Sequence, residues 1–455
     1  MLRSCVFAFQ YLAASFGLAW TRVLGVCLGG IVMLHESIAA SLRNGLLVTG
    51  WIIAASLIIV QPSTAQDSDR QSEVLIRQLT ARNESVRQQA LMRFSGQPEM
   101  ARSALPTLID AVKIQADKVD ADGTVPFSLD RLLHLIGTIR ESDAEGLLVE
   151  MLDHPSYAIA MIAADSLGQN RRRDTIEFLK KQVDRPIFQS NYGFRFNLVR
   201  ALALMRHPDA VEFLTSLEAN LKGQLRFEVE TLLAEVTEKH FLDDQDRYLR
   251  WKASRQPKVV IQRASFGSQS TSRMNFGKPQ KYYDIDIHAK RMLFLIDRSG
   301  SMQEYSGGMT RLERAKIELA KAVQALPSDS EFGIIFFEES VRKWKDQLLP
   351  ATQQNKDAAM KFVHRLGYGQ RTNTYGALYD SLQFDDELEV VFLLSDGRPT
   401  MGRITHPQQI VADIIGRNRL RNVKFNTIGI AIAGETEQFL KTLAEQSNGE
   451  FRNAE

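Results

Sequence analysis

Asp297, Ser299 and Ser301 alternate in the run Asp297-Arg298-Ser299-Gly300-Ser301, Thr372 lies in Gly369-Gln370-Arg371-Thr372-Asn373-Thr374-Tyr375, and Asp396 in Leu394-Ser395-Asp396-Gly397. Together they offer two carboxylates and three hydroxyls, all hard oxygen donors. Such a set suits Mg2+, Ca2+ or Mn2+ and not the softer metals. In the Asp-x-Ser-x-Ser alternation every second side chain can face one centre, and Gly300 is expected to let the backbone turn between the serines. Two carboxylates do little more than neutralise a divalent ion. The ion would stay electrophilic and gain from one more negative oxygen, which is the chemistry of a site completed by a partner's carboxylate. Thr374 competes with Thr372 for the threonine role.

Positioning these groups requires a particular framework. The apolar run 292–296 has strand length and stops at Asp297; a run apolar throughout marks a sheet covered on both faces. An amphipathic helix is expected over 311–325, a strand over 332–337, and helices over 354–365 and 375–383. The strand 390–394 ends in Ser395-Asp396. A helix over 407–420, a strand over 425–430 and a helix over 436–446 follow. Strands alternating with helices imply a doubly wound, mostly parallel sheet. Ligands of such sheets sit at the carboxyl ends of the strands, where these polar residues fall.

Asp-x-Ser-x-Ser is a weak signal alone. It becomes specific when it ends an apolar strand and is followed, in order, by a threonine loop and a second strand ending in aspartate. Over residues 290–455 the chain resembles the von Willebrand factor type A domain, with 294–302, 372–378 and 394–397 matching its three motifs. The resemblance implies a Rossmann-like α/β fold carrying a metal-ion-dependent adhesion site, usually filled by Mg2+. It implies that Asp297, Ser299 and Ser301 ligate the ion through the first loop, and that Thr372 and Asp396 complete the site directly or through water. Arg298 falls where the family varies, and its side chain is expected to be solvent-exposed.

Upstream, residues 71–241 carry a helical pattern without strand alternation. The segments starting at Ser142, Arg173 and Pro208 resemble one another, and the spacing of their aligned Asp143, Asp174 and Asp209 suggests stacked helical repeats. This stretch resembles HEAT-type repeats, which implies a helical solenoid offering a protein-binding surface or a rigid support. Ala163 and Ala164 suit close helix packing, and Gly168 suits a helix C-terminus. Residues 242–289 read as a linker, with Trp251 among Lys252, Arg255 and Lys258 taken as a solvated helix end and not as a nucleic-acid patch. Residues 1–65 contain apolar blocks over 6–34 and 45–60. Arg43, the second block, and Ser63 and Ala65 together form a secretory signal, with cleavage expected after Ala65. A retained membrane anchor is the alternative, and Met33 is a candidate start.

The composition fits this plan. At 455 residues the chain is multidomain, and its 56 basic and 54 acidic residues leave a net charge of +2, which favours no nucleic acid partner. Cys5 and Cys27, its two cysteines, both lie in the N-terminal segment, so the remainder holds neither disulfide nor thiolate metal site. Catalysis is not expected. No phosphate-binding Gly-x-x-x-x-Gly-Lys-Ser/Thr loop and no His-Glu-x-x-His occurs, and the position two after Asp297 is Ser299 where a phosphatase of the haloacid-dehalogenase type needs an acid. His364 and His406 are distant in sequence from Ser299 and Ser301. The expectation is an exported or N-terminally anchored protein that captures a partner's acidic residue through its metal. A second partner on the helical repeats fits the same plan. The alternative is a scaffold or assembly factor in which the repeats carry the main surface.

Overall fold

A computed structural model of the protein describes residues 73–74, 77–121, 123–239 and 280–454. The signal or anchor segment and most of the linker lie outside these residues. Among the described residues no helix is long and apolar enough to cross a membrane.

The first half is helical: α1 (Glu84–Ser95), α2 (Leu105–Ala116), α3 (Phe127–Thr138), α4 (Ser142–Leu152), α5 (Tyr157–Gln169), α6 (Ile176–Lys181), α7 (Tyr192–Leu204), α8 (Pro208–Glu218) and α9 (Gly223–Lys239). The three similar segments each open a helix. Asp143 and Asp209 fall in the first turns of α4 and α8, and Asp174 lies in a 3-10 turn leading into α6. Acidic side chains there oppose the positive end of the helix dipole. Asn83 and Asn191 cap α1 and α7 by accepting from the backbone N–H groups of Ser85 and Phe194. Helix α5 is buried along its length and packs against α3, α4 and α7. Gly168 lies in its last turn, one residue before the end at Gln169. A Cβ at Gly168 would lie 2.7 Å from the Cα of Ala201, so the glycine permits the close approach of α5 and α7.

The second half is an α/β domain: β1 (Gln280–Tyr282), β2 (Ile285–Ile287), β3 (Arg291–Asp297), β4 (Tyr305–Ser306), β5 (Met309–Thr310), α10 (Arg311–Ala325), β6 (Glu331–Phe337), β7 (Val341–Lys343), β8 (Leu349–Pro350), α11 (Gln353–His364), α12 (Thr374–Leu382), β9 (Val390–Ser395), α13 (Pro407–Asn418), β10 (Lys424–Ile430), α14 (Glu435–Gln446) and β11 (Phe451–Ala454). The main sheet runs β11-β10-β9-β3-β6-β7, and β8 also pairs with β6. From β11 to β6 the pairings are parallel; β7 and β8 join antiparallel. Alternate residues of β3 and β9 face opposite cores. Phe294, Ile296, Phe392 and Leu394 pack with Leu312, Leu319 and Val363 of α10 and α11. Leu293, Leu295, Val391 and Leu393 pack with Leu378, Ile410 and Leu440 of α12, α13 and α14. Both faces are covered, which is why these strands read as unbroken apolar runs.

Two features depart from the sequence reading. The last part of the 242–289 linker is structured: β1 and β2 form a hairpin turning at Tyr283 and Asp284, both with positive φ (49° and 61°), as a two-residue turn of this kind requires. Its Tyr282 is buried edge-on against Phe294 and Phe392, at centroid distances of 5.3 and 5.6 Å. Edge strands β7, β8 and β11 were also not foreseen.

The halves touch at one end of the sheet. Asn197 Nδ2 donates to Leu420 O at 2.8 Å, and Tyr192 N to Asp386 O at 3.1 Å. Arg195 pairs with Glu387 at 2.9 Å, Lys424 with Glu228 at 2.6 Å, and Arg419 with Asp130. Glu389 Oε2 accepts from Gln224 N, at the start of α9, and from Lys290 N, each at 2.9 Å. Every partner on the α/β side precedes or begins β3, β9 or β10, or ends α13. The helical half thus grips the amino ends of the strands.

Candidate metal centre

At the opposite, carboxyl end, the register aligns Ile296 of β3 with Leu394 of β9. One residue further along, Asp297 and Ser395 meet: Ser395 Oγ donates to Asp297 Oδ2 at 2.6 Å. The other oxygen, Oδ1, accepts from Ser299 N at 2.8 Å. Ser299 Oγ lies 3.2 Å from Ser301 Oγ, and Ser301 Oγ donates to Asp396 Oδ1 at 2.7 Å. Thr372 is held by its backbone: its N–H donates to Thr400 Oγ1 at 2.9 Å, and its carbonyl accepts from Thr400 N and Met401 N. Its hydroxyl converges with that of Ser301 on Gly397, where an added Cβ would lie 3.3 Å from Ser301 Oγ and 3.8 Å from Thr372 Oγ1. The structure therefore gathers all five foreseen residues. Thr374 instead begins α12, and its buried Oγ1 has no hydrogen-bond partner among the described residues.

The loops are clamped together. Gly369 N donates to Arg298 O at 2.6 Å and Gly300 N to Gln370 O at 3.3 Å. Gly300 has no left-handed backbone but opens a 3-10 turn over Gly300–Gln303, between the serines; a Cβ there would come within 3.2 Å of Gln370 O, so its smallness also serves this loop contact. Arg298 is not a free solvent-exposed side chain either. It pairs with Glu338 at 3.0 Å and donates to Gly367 O at 2.9 Å, tying the first motif to the threonine loop.

The electrostatics fit a cation. Asp297 is fully buried, and its carboxyl is pushed up to about 7, mainly by burial and then by the charge of Asp396; the bonds from Ser395 and Ser299 pull it down. Asp396 is also raised by burial, held back by Ser301 and Arg311. A divalent ion would offset the cost of keeping both carboxylates charged. Among the described residues no group of three His, Cys, Asp or Glu side chains is placed to hold a metal, so the candidate is a hydroxyl-rich site in which two carboxylates supply the charge.

Residues 292–399 match the family model of the von Willebrand factor type A domain. The α/β half of the chain is a von Willebrand factor type A-like domain. The chain is 27% identical over 173 residues to inter-alpha-trypsin inhibitor heavy chain H1 of Mesocricetus auratus, covering 35% of this chain and 18% of that protein. It is 28% identical over 167 residues to von Willebrand factor A domain-containing protein 3B of Homo sapiens, covering 36% and 12% respectively. It thus spans less than a fifth of the length of these curated relatives. A solved von Willebrand factor type A structure from Catenulispora acidiphila is 22% identical, covers 37% of this chain and 40% of its own, and has a TM-score of 0.33.

Two residues of the candidate site were not foreseen. Ser395 buttresses Asp297, and Arg311, the first residue of α10, reaches Asp396 Oδ2 at 2.8 Å. Their signals are faint: a serine beside the motif aspartate, and a cation at a helix start where acids are favoured.

Proposed function

We propose that this is an exported, metal-dependent protein-binding protein. Its type A domain holds a divalent ion, most simply Mg2+, on Asp297, Ser299, Ser301, Thr372 and Asp396. The ion supplies an electrophilic centre for a carboxylate of a protein partner. The residues of the chain orient it, with Ser395 fixing Asp297 and the Arg298–Glu338 pair bracing the first loop against the threonine loop. The convergence of two buried carboxylates with three hydroxyls, one carboxyl pushed up to about 7, carries this reading.

The site is read as binding and not catalytic. The hydroxyls of Ser299 and Ser301 bond to each other, and that of Ser301 donates to Asp396; no histidine base is bonded to them among the described residues. The helical half is read as a HEAT-like repeat support holding the domain by the end remote from its site. Export rests on the signal-like N-terminal sequence, and protease accessibility of the mature chain in intact cells tests it.

The decisive experiment is Mg2+ titration by calorimetry of the chelator-treated chain and of Asp297→Ala. Binding is expected in the first and absent in the second, with unchanged circular dichroism; Mg2+ binding that survives the substitution refutes the site. Partner capture is expected to fail in EDTA, and capture indifferent to EDTA moves the binding surface to the helices.

A further inference from the structure

Arg311 stands out because it breaks a local rule. It opens α10, whose Thr310 and Glu313 form a capping box, and a cation in a first helical turn opposes the dipole. Something other than helix stability must hold it there. Its Nη1 is 2.8 Å from Asp396 Oδ2 and 3.5 Å from Ser301 O, and its Nη2 is 2.8 Å from Glu304 Oε2. The Asp396 side chain is fully buried, the Arg311 side chain 14% exposed and that of Glu304 63% exposed. The guanidinium therefore spans from a buried acid of the site to an acid at the surface.

We infer that Arg311 is an internal cation that competes with the divalent ion for Asp396 and so sets the metal affinity of the site. The inference rests on the metal-site reading above. Without metal, Arg311 neutralises one of two buried carboxylates that repel each other. When the ion arrives, Asp396 serves it, and the guanidinium keeps Glu304 as its partner on the solvent side. The guanidinium's charge then stays balanced by Glu304 at 2.8 Å, and the two site carboxylates balance the divalent ion. Arg311 thus lowers metal affinity by having to be displaced from Asp396.

The test uses the full chain after chelation, titrated with MgCl2 by calorimetry and melted with and without Mg2+. Arg311→Gln is expected to bind Mg2+ about ten-fold more tightly than the wild type, to melt lower without metal and to gain more on adding it. Arg311→Lys keeps the charge and is expected to stay within about two-fold. Glu304→Gln removes the outer anchor and is expected to act in the opposite sense, weakening Mg2+ several-fold; this variant reads the competition even where Arg311→Gln does not fold without metal. Equal affinity in wild type and Arg311→Gln, or weaker binding in the latter, overturns the inference while leaving the metal site standing. Absence of Mg2+ binding in the wild type overturns both.

Discussion

Glu389→Gln tests the contact between the halves at the residue where it is most costly. Glu389 is buried, 6% exposed, and its one oxygen receives the N–H groups of Gln224 and Lys290. Burial pushes its carboxyl from the ordinary 4.5 up to about 7, with the Glu387 charge adding and the two N–H donors and Arg195 opposing. That difference corresponds to about 3 kcal/mol between the protonated and ionised forms. Below about pH 4.5 the group is neutral in folded and unfolded chains and carries no penalty. Between about pH 4.5 and 7 the unfolded chain ionises while the folded one keeps its proton, so stability falls as pH rises, and above about pH 7 the loss is complete. Glutamine keeps a carbonyl for both N–H groups and never ionises. The variant is therefore expected to be more stable than wild type by about 1–3 kcal/mol at about pH 8, the lower figure allowing for an amide N–H short of a partner. Near pH 5 the advantage is expected to vanish or reverse. Urea unfolding followed by circular dichroism in EDTA, at both pH values, measures it. The carboxyl of Asp297, also near 7, is common to both proteins and cancels in the difference. A gap between variant and wild type that is the same at both pH values refutes the argument.

Two further outcomes follow from packing and hydrogen bonding. Gly168→Ala places a methyl 2.7 Å from the Cα of Ala201 and is expected to cost about 1–3 kcal/mol in urea unfolding without changing Mg2+ affinity. Thr372→Val removes a converging hydroxyl and is expected to weaken Mg2+ in calorimetry, whereas Thr374→Val replaces an unpartnered buried hydroxyl and is expected to leave Mg2+ binding unchanged and stability equal or higher; the reverse pattern would exchange the roles of the two threonines.

The framework of the type A domain was legible because its strands are apolar on both sides and end in abrupt polar motifs. Residues 292–296 and 390–394 could only be covered strands, and their endings located Asp297 and Asp396. Elements stabilised by contact instead of by pattern stayed hidden. The β1–β2 hairpin shows four apolar residues, Tyr282, Tyr283, Ile285 and Ile287, in a polar stretch, and its anchor on Phe294 and Phe392 is a tertiary fact. Gly168 and Gly300 were legible as a helix end and a turn, but the neighbouring backbone each lies against, at Ala201 and Gln370, was not. Arg298 is a charged residue in a polar loop and Arg311 opens a helix; their partners Glu338 and Asp396 are remote in sequence. The pairing of the two halves was equally out of reach, since Arg419 with Asp130 and Lys424 with Glu228 obey no periodicity.

Strand β9 joins the two ends of the domain. It begins directly after Glu389, held by the helical half, and ends at Ser395, bonded to Asp297. Six extended residues span about 20 Å, so the helices grip the domain at a distance from the candidate site that excludes direct contact. The loops around the site instead present the exposed side chains of Tyr305, Tyr368 and Met401. Tyr368 is steadied by a 3.0 Å hydrogen bond between its hydroxyl and Thr310 Oγ1, in the same capping box that precedes Arg311. A ligand reaching for Asp297 meets this rim and not the helices, so tightening or loosening the helical grip at Glu389 is expected to alter stability while leaving Mg2+ affinity unchanged.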